Sequence, residues 1–205
     1  MNVRLPVDRF KSLLTSLNGD GRYGLTLLCI GILFLLPELA GDTARAGLRY
    51  ERDAIAAGQW WRLVTAHLAH LDLQHTQLNL LGLVMMWALF ARDYRPRQWL
   101  IIAAAVVLAI DAGLWFRDPQ IHWYVGASGA LHGFMAAGTL AHLRRGDLDG
   151  WILAIFIVLK LAYEQWNGAL PFSDSGVPVV VNAHLYGALG GVLAAVALKP
   201  RTDSL

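Results

Sequence analysis

A serine and a histidine in two separate apolar segments are the first candidates for chemistry in this chain. Ser128 lies in a glycine-rich stretch, residues 126–133, and His184 lies within residues 182–187. Ser128 is predicted to stand where an irregular segment becomes a helix, so that free backbone N–H groups and the helix dipole favour an oxyanion beside it. A neutral imidazole within hydrogen-bonding distance suffices as a base. The pair therefore predicts a serine nucleophile, Ser128, with His184 as its base.

A second group of polar side chains, His70, His75 and Asn79, lies at the start of another apolar segment. His75 and Asn79 are four residues apart and share one face of a helix, where both can donate N–H groups. Taken singly, a buried histidine or asparagine is more often a structural hydrogen-bonding group. A serine among small residues is likewise more often a packing residue. Only the combination of these groups favours catalysis.

Small residues predict which helices bring the reactive groups together. They recur every four positions on the two segments that carry Ser128 and His184, at Gly129, Gly133, Ala137 and Ala141 and at Ala183, Gly187, Gly191 and Ala195. Small residues at that spacing let membrane helices approach closely. His184 follows Pro178 by six residues, which places it about 9 Å down its helix. We therefore expect Ser128 and His184 to meet at similar depth.

The composition is that of an integral membrane protein. Of 205 residues, 56% are hydrophobic and 16% are charged, and the mean hydropathy is +0.45, whereas globular domains average about 25% charged residues. These values exclude a disordered chain. The net charge is +2 and the arginines are scattered, so no nucleic-acid partner is predicted. The single cysteine, Cys29, excludes an internal disulfide and a CxxC metal site, and no metal or cofactor is predicted.

Stretches poor in charged residues predict an all-α fold, a polytopic bundle of six transmembrane helices. A span needs about 20 mostly apolar residues. The six candidates are residues 23–37, 73–91, 98–116, 128–143, 148–166 and 175–198, the last being helical after Pro178. The first also resembles the apolar core of a signal peptide, but 22 residues precede it, so we keep it as a helix. Residues 1–22 and 199–205 then flank a core at residues 23–198.

Positively charged residues predict the orientation of this bundle. With the amino terminus inside, eleven lysines and arginines lie on the cytoplasmic side and five on the opposite side. The positive-inside rule therefore places both termini in the cytoplasm. Residues 41–61, which end in Trp60 and Trp61, are expected outside at the membrane interface. Residues 169–178 are expected outside as a mobile loop.

Other polar groups in the spans have structural interpretations. Lys160 and Glu164, at i and i+4, are predicted to neutralise one another. Asp111 is assigned no role beyond a hydrogen bond between helices. Three histidines without a partner pattern are predicted to be interfacial or structural: His67, His122 and His142.

Together these motifs resemble the rhomboid family of intramembrane serine proteases over residues 23–198. The matching motifs are Trp61-Arg62 in the first outer loop, His70-x4-His75-x3-Asn79, Gly126-Ala127-Ser128-Gly129, and Ala183-His184-x2-Gly187-x3-Gly191. The resemblance implies a six-helix rhomboid-like membrane core. Residues 1–22 and 199–205 flank this core as the cytoplasmic segments that the positive-inside rule predicts.

Within that family the chain is most similar to the rhombosortase branch. The features that carry this likeness are Pro37-Glu38-Leu39, Leu48-Arg49-Tyr50-Glu51-Arg52 and G-A-S-G-x-L-H-G over residues 126–133. One departure from other rhomboids is His132, which stands where they usually have a tyrosine that stacks on the catalytic histidine. Because His132 lies one helical turn from Ser128, it can still pack against His184.

The resemblance also assigns roles to individual residues. It implies that Ser128 is the nucleophile and His184 the general base and then acid, with no third acidic member. The backbone N–H of Ser128 and the side chains of His75 and Asn79 would form the oxyanion hole. Five further residues would support the site: His70 in the water-accessible cavity, Gly126 where substrate approaches the backbone, and Gly129, His132 and Gly187.

The implied reaction is hydrolysis of a peptide bond in or next to a transmembrane segment, on the periplasmic side of a bacterial inner membrane. Similarity to rhombosortases implies membrane-anchored exported substrates with a C-terminal tail made of a Gly-Gly motif, a transmembrane helix and a basic end. Removal of that tail would serve protein sorting. The lipid bilayer is the other partner, and the sequence makes no prediction of oligomeric state.

Three other functions fit the sequence less well. A zinc hydrolase needs converging histidines, but His70 and His75 are five residues apart and point about 140° apart round a helix. An inactive rhomboid-like protein that binds membrane clients would be expected to lack Ser128 or His184, and this chain has both. A transporter would be expected to show internal repeats, and none is apparent.

Overall fold

The computed structural model describes residues 17–171 and 179–201, which are mainly helical. The helices are α1 Gly24–Leu39, α2 Asp42–Leu48, α3 Arg52–Ala56, α4 Arg62–Thr65, α5 Leu73–Phe90, α6 Pro96–Phe116, α7 Ser128–Arg145, α8 Leu148–Asn167 and α9 Val181–Ala197. Two short antiparallel strands, β1 (Tyr50–Glu51) and β2 (Trp123–Tyr124), pair Tyr50 with Tyr124. The predicted all-α class is thus confirmed for the described residues.

Each of the six predicted apolar segments coincides, to within two residues at the helix ends that extend beyond it, with one of the longer helices, α1 and α5 to α9. The first extends two residues beyond its predicted end, because Pro37 is accommodated inside α1. By length and composition, only α6 of the described helices can cross a membrane alone. The pair α1 and α2, bent by 119°, would qualify as one broken span. The number of six spans therefore remains a prediction.

The connection between α1 and α5, of which residues 41–61 are predicted to lie at the membrane interface, is folded rather than extended. Three short helices and β1 occupy it. Arg62, at the start of α4, links α4 to the end of α2 by donating to the carbonyl oxygens of Ala46 and Arg49, each at 2.8 Å. Arg52 donates to the carbonyl of Leu114 at 2.6 Å, near the end of α6. These buried charge-assisted bonds satisfy carbonyls that no helix pairs.

Helices α7 and α9 pack at very short range, as the small residues predict. A Cβ on Gly187 would collide with the carbonyl of Gly129, and a Cβ on Gly191 would collide with the carbonyl of Gly133. A Cβ on Gly133 would strike both Val106 of α6 and the carbonyl of Gly187 on α9. Such contacts between backbones are what small residues permit in membrane bundles. They place the first turns of α7 and α9 side by side.

Of the three histidines predicted to be interfacial or structural, the two buried ones have carboxylate partners, and His122 is exposed. His142 lies 2.8 Å from Asp149 and 3.2 Å from Asp93, near the end of α7. His67 lies 3.4 Å from Asp111, which gives that aspartate a partner that the sequence did not indicate. Of the loop predicted at residues 169–178, residues 172–178 lie outside the described part.

Candidate active site

Ser128 and His184 are in hydrogen-bonding contact. Ser128 is the first residue of α7, and its Oγ lies 2.8 Å from Nε2 of His184 in the first turns of α9. The carboxylate of Asp118, beyond the end of α6, accepts hydrogen bonds from Asn182 at 3.0 Å and Tyr186 at 2.9 Å. Asn182 and Tyr186 precede and follow His184 on α9, so these hydrogen bonds fix the position of the His184 backbone.

A tight turn at Gly126 presents Ser128 to the cavity. Gly126 has φ +124°, a conformation that side chains other than glycine rarely adopt, and a Cβ there would lie 2.9 Å from Cε1 of His75. Two hydrogen bonds hold this turn. The backbone N–H of Gly126 donates to the carbonyl oxygen of Ala66 at 2.9 Å, and the hydroxyl of Tyr124 donates to the carbonyl oxygen of Gly126 at 2.7 Å. Burial raises the pKa of Tyr124, so this hydroxyl keeps its proton.

The side chain of His75 is held so that its Nε2 carries the proton. Asp72, the N-cap of α5, accepts the backbone N–H of His75 at 2.7 Å. The backbone N–H of Leu71 donates to Nδ1 of His75 at 3.3 Å, so the proton of a neutral ring resides on Nε2. A Cβ on Gly126 would lie 3.2 Å from that Nε2 and 3.9 Å from Oγ of Ser128. His75 and Ser128 therefore both border the space beside Gly126, and both line the same cavity.

Asn79 lies one helical turn after His75 and is also buried. Its Nδ2 donates to the carbonyl of His75 at 2.9 Å, which leaves the second N–H of that amide without a bond to the helix. His75, Asn79, Ser128 and His184 all line one cavity of about 290 Å³ between α5 and α8. The structure thus brings together the four residues that the sequence singled out for the nucleophile, the base and the oxyanion hole.

His132 stacks on His184, as its position one helical turn after Ser128 predicts. The two rings are 4.2 Å apart and inclined by 15°. Nδ1 of His132 lies 2.7 Å from the carbonyl oxygen of Ser128, and because that oxygen can only accept, Nδ1 carries the proton. The stack limits the rotation of the His184 ring about its Cβ.

His70 lies behind His75 rather than beside Ser128. Its ring contacts those of Phe34 and His75, with centroids 5.0 and 5.2 Å apart. Burial, together with the nearby His75, lowers the pKa of His70 to about 3. His70 is therefore uncharged at neutral pH and packs against His75 without adding a charge to the cavity.

One residue at the site was missed by sequence reasoning. Glu164 contacts Lys160 at 2.5 Å, as predicted, but its other carboxylate oxygen lies 2.9 Å from Nδ1 of His184. The prediction that these two residues merely neutralise each other is therefore incomplete, and a carboxylate does adjoin the histidine. The two residues are on different helices and 20 positions apart, so no local spacing could reveal the contact.

His132, Glu164 and His184 also lie close enough together to suggest a metal site. Their arrangement is poorly suited to one, because the two imidazoles are stacked and the lone pairs of parallel rings do not converge on one point. Both nitrogens of His184 are also engaged, by Ser128 and Glu164. We therefore interpret the cluster as an acid–base group.

Comparison with known proteins places the chain in a family. Residues 57–201 match the Rhomboid domain. The chain is 28% identical over 139 residues to the "Putative rhomboid protease YdcA" of Bacillus subtilis strain 168, a match that covers 68% of this chain and 67% of that protein. It is 28% identical over 193 residues to the rhomboid protease GluP of the same organism, covering 88% of this chain and 36% of GluP. The protein therefore belongs to the rhomboid family, the integral membrane proteins that include the intramembrane serine proteases.

Proposed function

We propose that the protein is an intramembrane serine endopeptidase with Ser128 as nucleophile and His184 as general base and acid. The observation that carries this proposal is the 2.8 Å contact between Oγ of Ser128 and Nε2 of His184. The contact lies at a helix N-terminus and inside a cavity, where an oxyanion is favoured. No metal or cofactor is needed for this chemistry.

In the first half of the reaction, His184 Nε2 takes the hydroxyl proton of Ser128 as Oγ attacks the carbonyl carbon of the substrate. The resulting tetrahedral intermediate collapses when the C–N bond breaks and Nε2 gives its proton to the leaving amine. An ester between Ser128 and the substrate remains. A water molecule then attacks this ester, again with His184 as base, and the Ser128 oxygen leaves with the proton returned by Nε2.

The negative oxygen of each intermediate requires hydrogen-bond donors. The backbone N–H of Ser128 has no partner within its helix, because it belongs to the first residue of α7. His75, whose Nε2 carries its proton, and Asn79, whose amide has a second N–H, line the same cavity as Ser128. We assign these three groups to the oxyanion hole, where each such donor contributes about 10²–10³ in kcat.

We further propose that the substrates are membrane-anchored exported proteins with a C-terminal Gly-Gly, transmembrane and basic tail. This rests on the likeness of the sequence to rhombosortases. Glycines near the scissile bond would let a substrate helix unwind locally, as attack by Ser128 requires. The bilayer would be a bacterial inner membrane, crossed six times with both termini cytoplasmic, so that residues 1–22 and 199–205 flank a protease core and the site opens to the periplasm.

Labelling with a fluorophosphonate, which reacts with activated serines, tests this proposal without knowledge of the substrate. We expect wild-type protein in detergent to be labelled in the presence of a chelator. Ser128→Ala and His184→Ala, each shown by its thermal melt to be folded, should lose labelling by about 10³-fold or more. Equal labelling of Ser128→Ala would exclude it as the nucleophile. Absence of labelling and of Gly-Gly tail cleavage by folded wild type would favour a client-binding protein instead.

A further inference from the structure

We propose that Glu164 is a positioning residue that orients His184, so that the site works as a Ser128–His184–Glu164 triad. This inference rests on the proposed function. Its basis is the 2.9 Å contact between Oε2 of Glu164 and Nδ1 of His184, in a side chain that is 1% exposed. A buried carboxylate destabilises the folded protein unless hydrogen bonds or an opposite charge compensate it. Glu164 therefore depends on its contact partners to remain buried.

The contact determines which nitrogen of His184 can act as a base. An ionised carboxylate only accepts hydrogen bonds, so Nδ1 of His184 must carry the proton. In the neutral ring Nε2 then has a free lone pair, and Nε2 is the atom 2.8 Å from the Ser128 hydroxyl. When Nε2 takes the serine proton, Glu164 stabilises the imidazolium without accepting a proton itself.

Lys160 fixes the carboxylate in this role. Its ammonium group donates to Oε1 of Glu164 at 2.5 Å, one helical turn away on α8. The two oxygens of Glu164 thus serve different partners, the lysine and the histidine. The lysine compensates the buried negative charge, so that the carboxylate remains ionised beside His184.

Because one oxygen of Glu164 contacts Lys160 and the other contacts His184, we expect Glu164→Gln to slow the reaction of Ser128 severely. A lysine has only donors, so the amide oxygen of the glutamine would turn to Lys160 and its NH₂ would face Nδ1 of His184. Nδ1 would then become an acceptor, and the proton would move to Nε2. In that tautomer the ring cannot take the Ser128 proton. The double variant Lys160→Ala/Glu164→Gln removes this constraint, so the amide oxygen can again face Nδ1.

The experiment measures the second-order rate of fluorophosphonate labelling of the full chain in detergent, from about pH 5 to about pH 9. We expect Glu164→Gln to label about 10²-fold more slowly than wild type or worse. Lys160→Ala/Glu164→Gln should recover about tenfold over Glu164→Gln, a coupling of the size seen between contacting residues. In the double variant the acidic limb should lie below that of wild type, because the lost carboxylate contacts His184 directly, whereas the lost ammonium group contacts only the far oxygen of Glu164.

Asp111→Asn is the matched control, since Asp111 is another buried carboxylate beside a histidine, His67. It should label within about threefold of wild type with an unshifted profile. Glu164 is structural only if Glu164→Gln is labelled as fast as wild type. The same conclusion follows if the double variant is labelled no faster than Glu164→Gln and its pH profile matches that of wild type. Should Glu164→Gln not fold, Glu164→Asp decides: labelling below wild type supports the proposal and wild-type labelling overturns it. Labelling of Ser128→Ala would instead refute the proposed function itself.

Discussion

The histidines around Ser128 differ in the hydrogen bond that each one makes, and those bonds assign them different tasks. His75, which lines the cavity, accepts a backbone N–H at Nδ1, so its Nε2 is a donor. His132 does the reverse, because its Nδ1 donates to the carbonyl of Ser128. His184 contacts a carboxylate at Nδ1 and the serine at Nε2. One residue type can therefore serve as donor, stacking partner and base within a single site.

The backbone turn at Gly126 should be sensitive to substitution by any residue with a side chain. Gly126→Ala would place a methyl group 2.9 Å from Cε1 of His75 at a φ of +124°, so the turn, His75 or both must move. A displacement of about 1 Å in a reacting group can cost about 10²-fold in rate. We expect fluorophosphonate labelling of Gly126→Ala to fall at least tenfold.

Gly146→Ala provides the control for this substitution. Gly146 also has a positive φ, +78°, but a Cβ there meets nothing within 4 Å. The backbone strain should cost about 1 kcal/mol of stability without slowing the labelling. If both variants label at equal rates after correction for folded protein, the shape of the Gly126 turn is not what presents Ser128.

At the scale of elements, the apolar segments and the small-residue spacing were enough to predict the long helices and the contact between α7 and α9. Two features were not predictable. The helices α2 to α4 are short, and Arg62 and Arg52 stabilise their region through carbonyls far away in the chain. The contact of Glu164 with His184 joins two helices whose relative rotation no local pattern encodes, and the Lys160 spacing offered a sufficient local explanation.

The close packing of α7 and α9 should be sensitive to a single methyl group. A Cβ on Gly187 would overlap the carbonyl of Gly129, and neither backbone can move without separating the helices. We expect Gly187→Ala to cost about 2 kcal/mol, as overpacking typically does, and to lower the thermal midpoint in detergent. Labelling should fall as well, because Ser128 and His184 are on these two helices.

Gly47→Ala in α2 is the control for helix packing. A Cβ at Gly47 meets nothing within 4 Å, and alanine is the better helix former. Its thermal midpoint should equal or exceed that of wild type. A midpoint for Gly187→Ala that matches that of Gly47→Ala would show that the two helices are not in backbone contact.

At the scale of the whole molecule, the positions of the charged residues determine which way the bundle lies in the membrane. Arg95 and Arg97 are exposed at the start of α6, and Arg144 and Arg145 lie at the end of α7. The same end of the bundle holds the carboxyl end of α9, because Arg144 donates to the carbonyl of Leu198 at 2.8 Å. Ser128 lies at the opposite end of α7, so this basic end and the candidate active site lie at opposite ends of that helix.

Cysteine accessibility can test that orientation, because the chain has one native cysteine to replace. In a Cys29→Ser background, a cysteine is introduced at Thr43, exposed in α2, or at Arg97, exposed in α6. The positive-inside rule predicts that a membrane-impermeant maleimide labels the Thr43→Cys variant in intact spheroplasts. The Arg97→Cys variant should be labelled only after the membrane is permeabilised. The reverse pattern would place the basic end outside and open the Ser128 cavity to the cytoplasm. Ser128 could then not reach exported substrates that are cleaved on the periplasmic side.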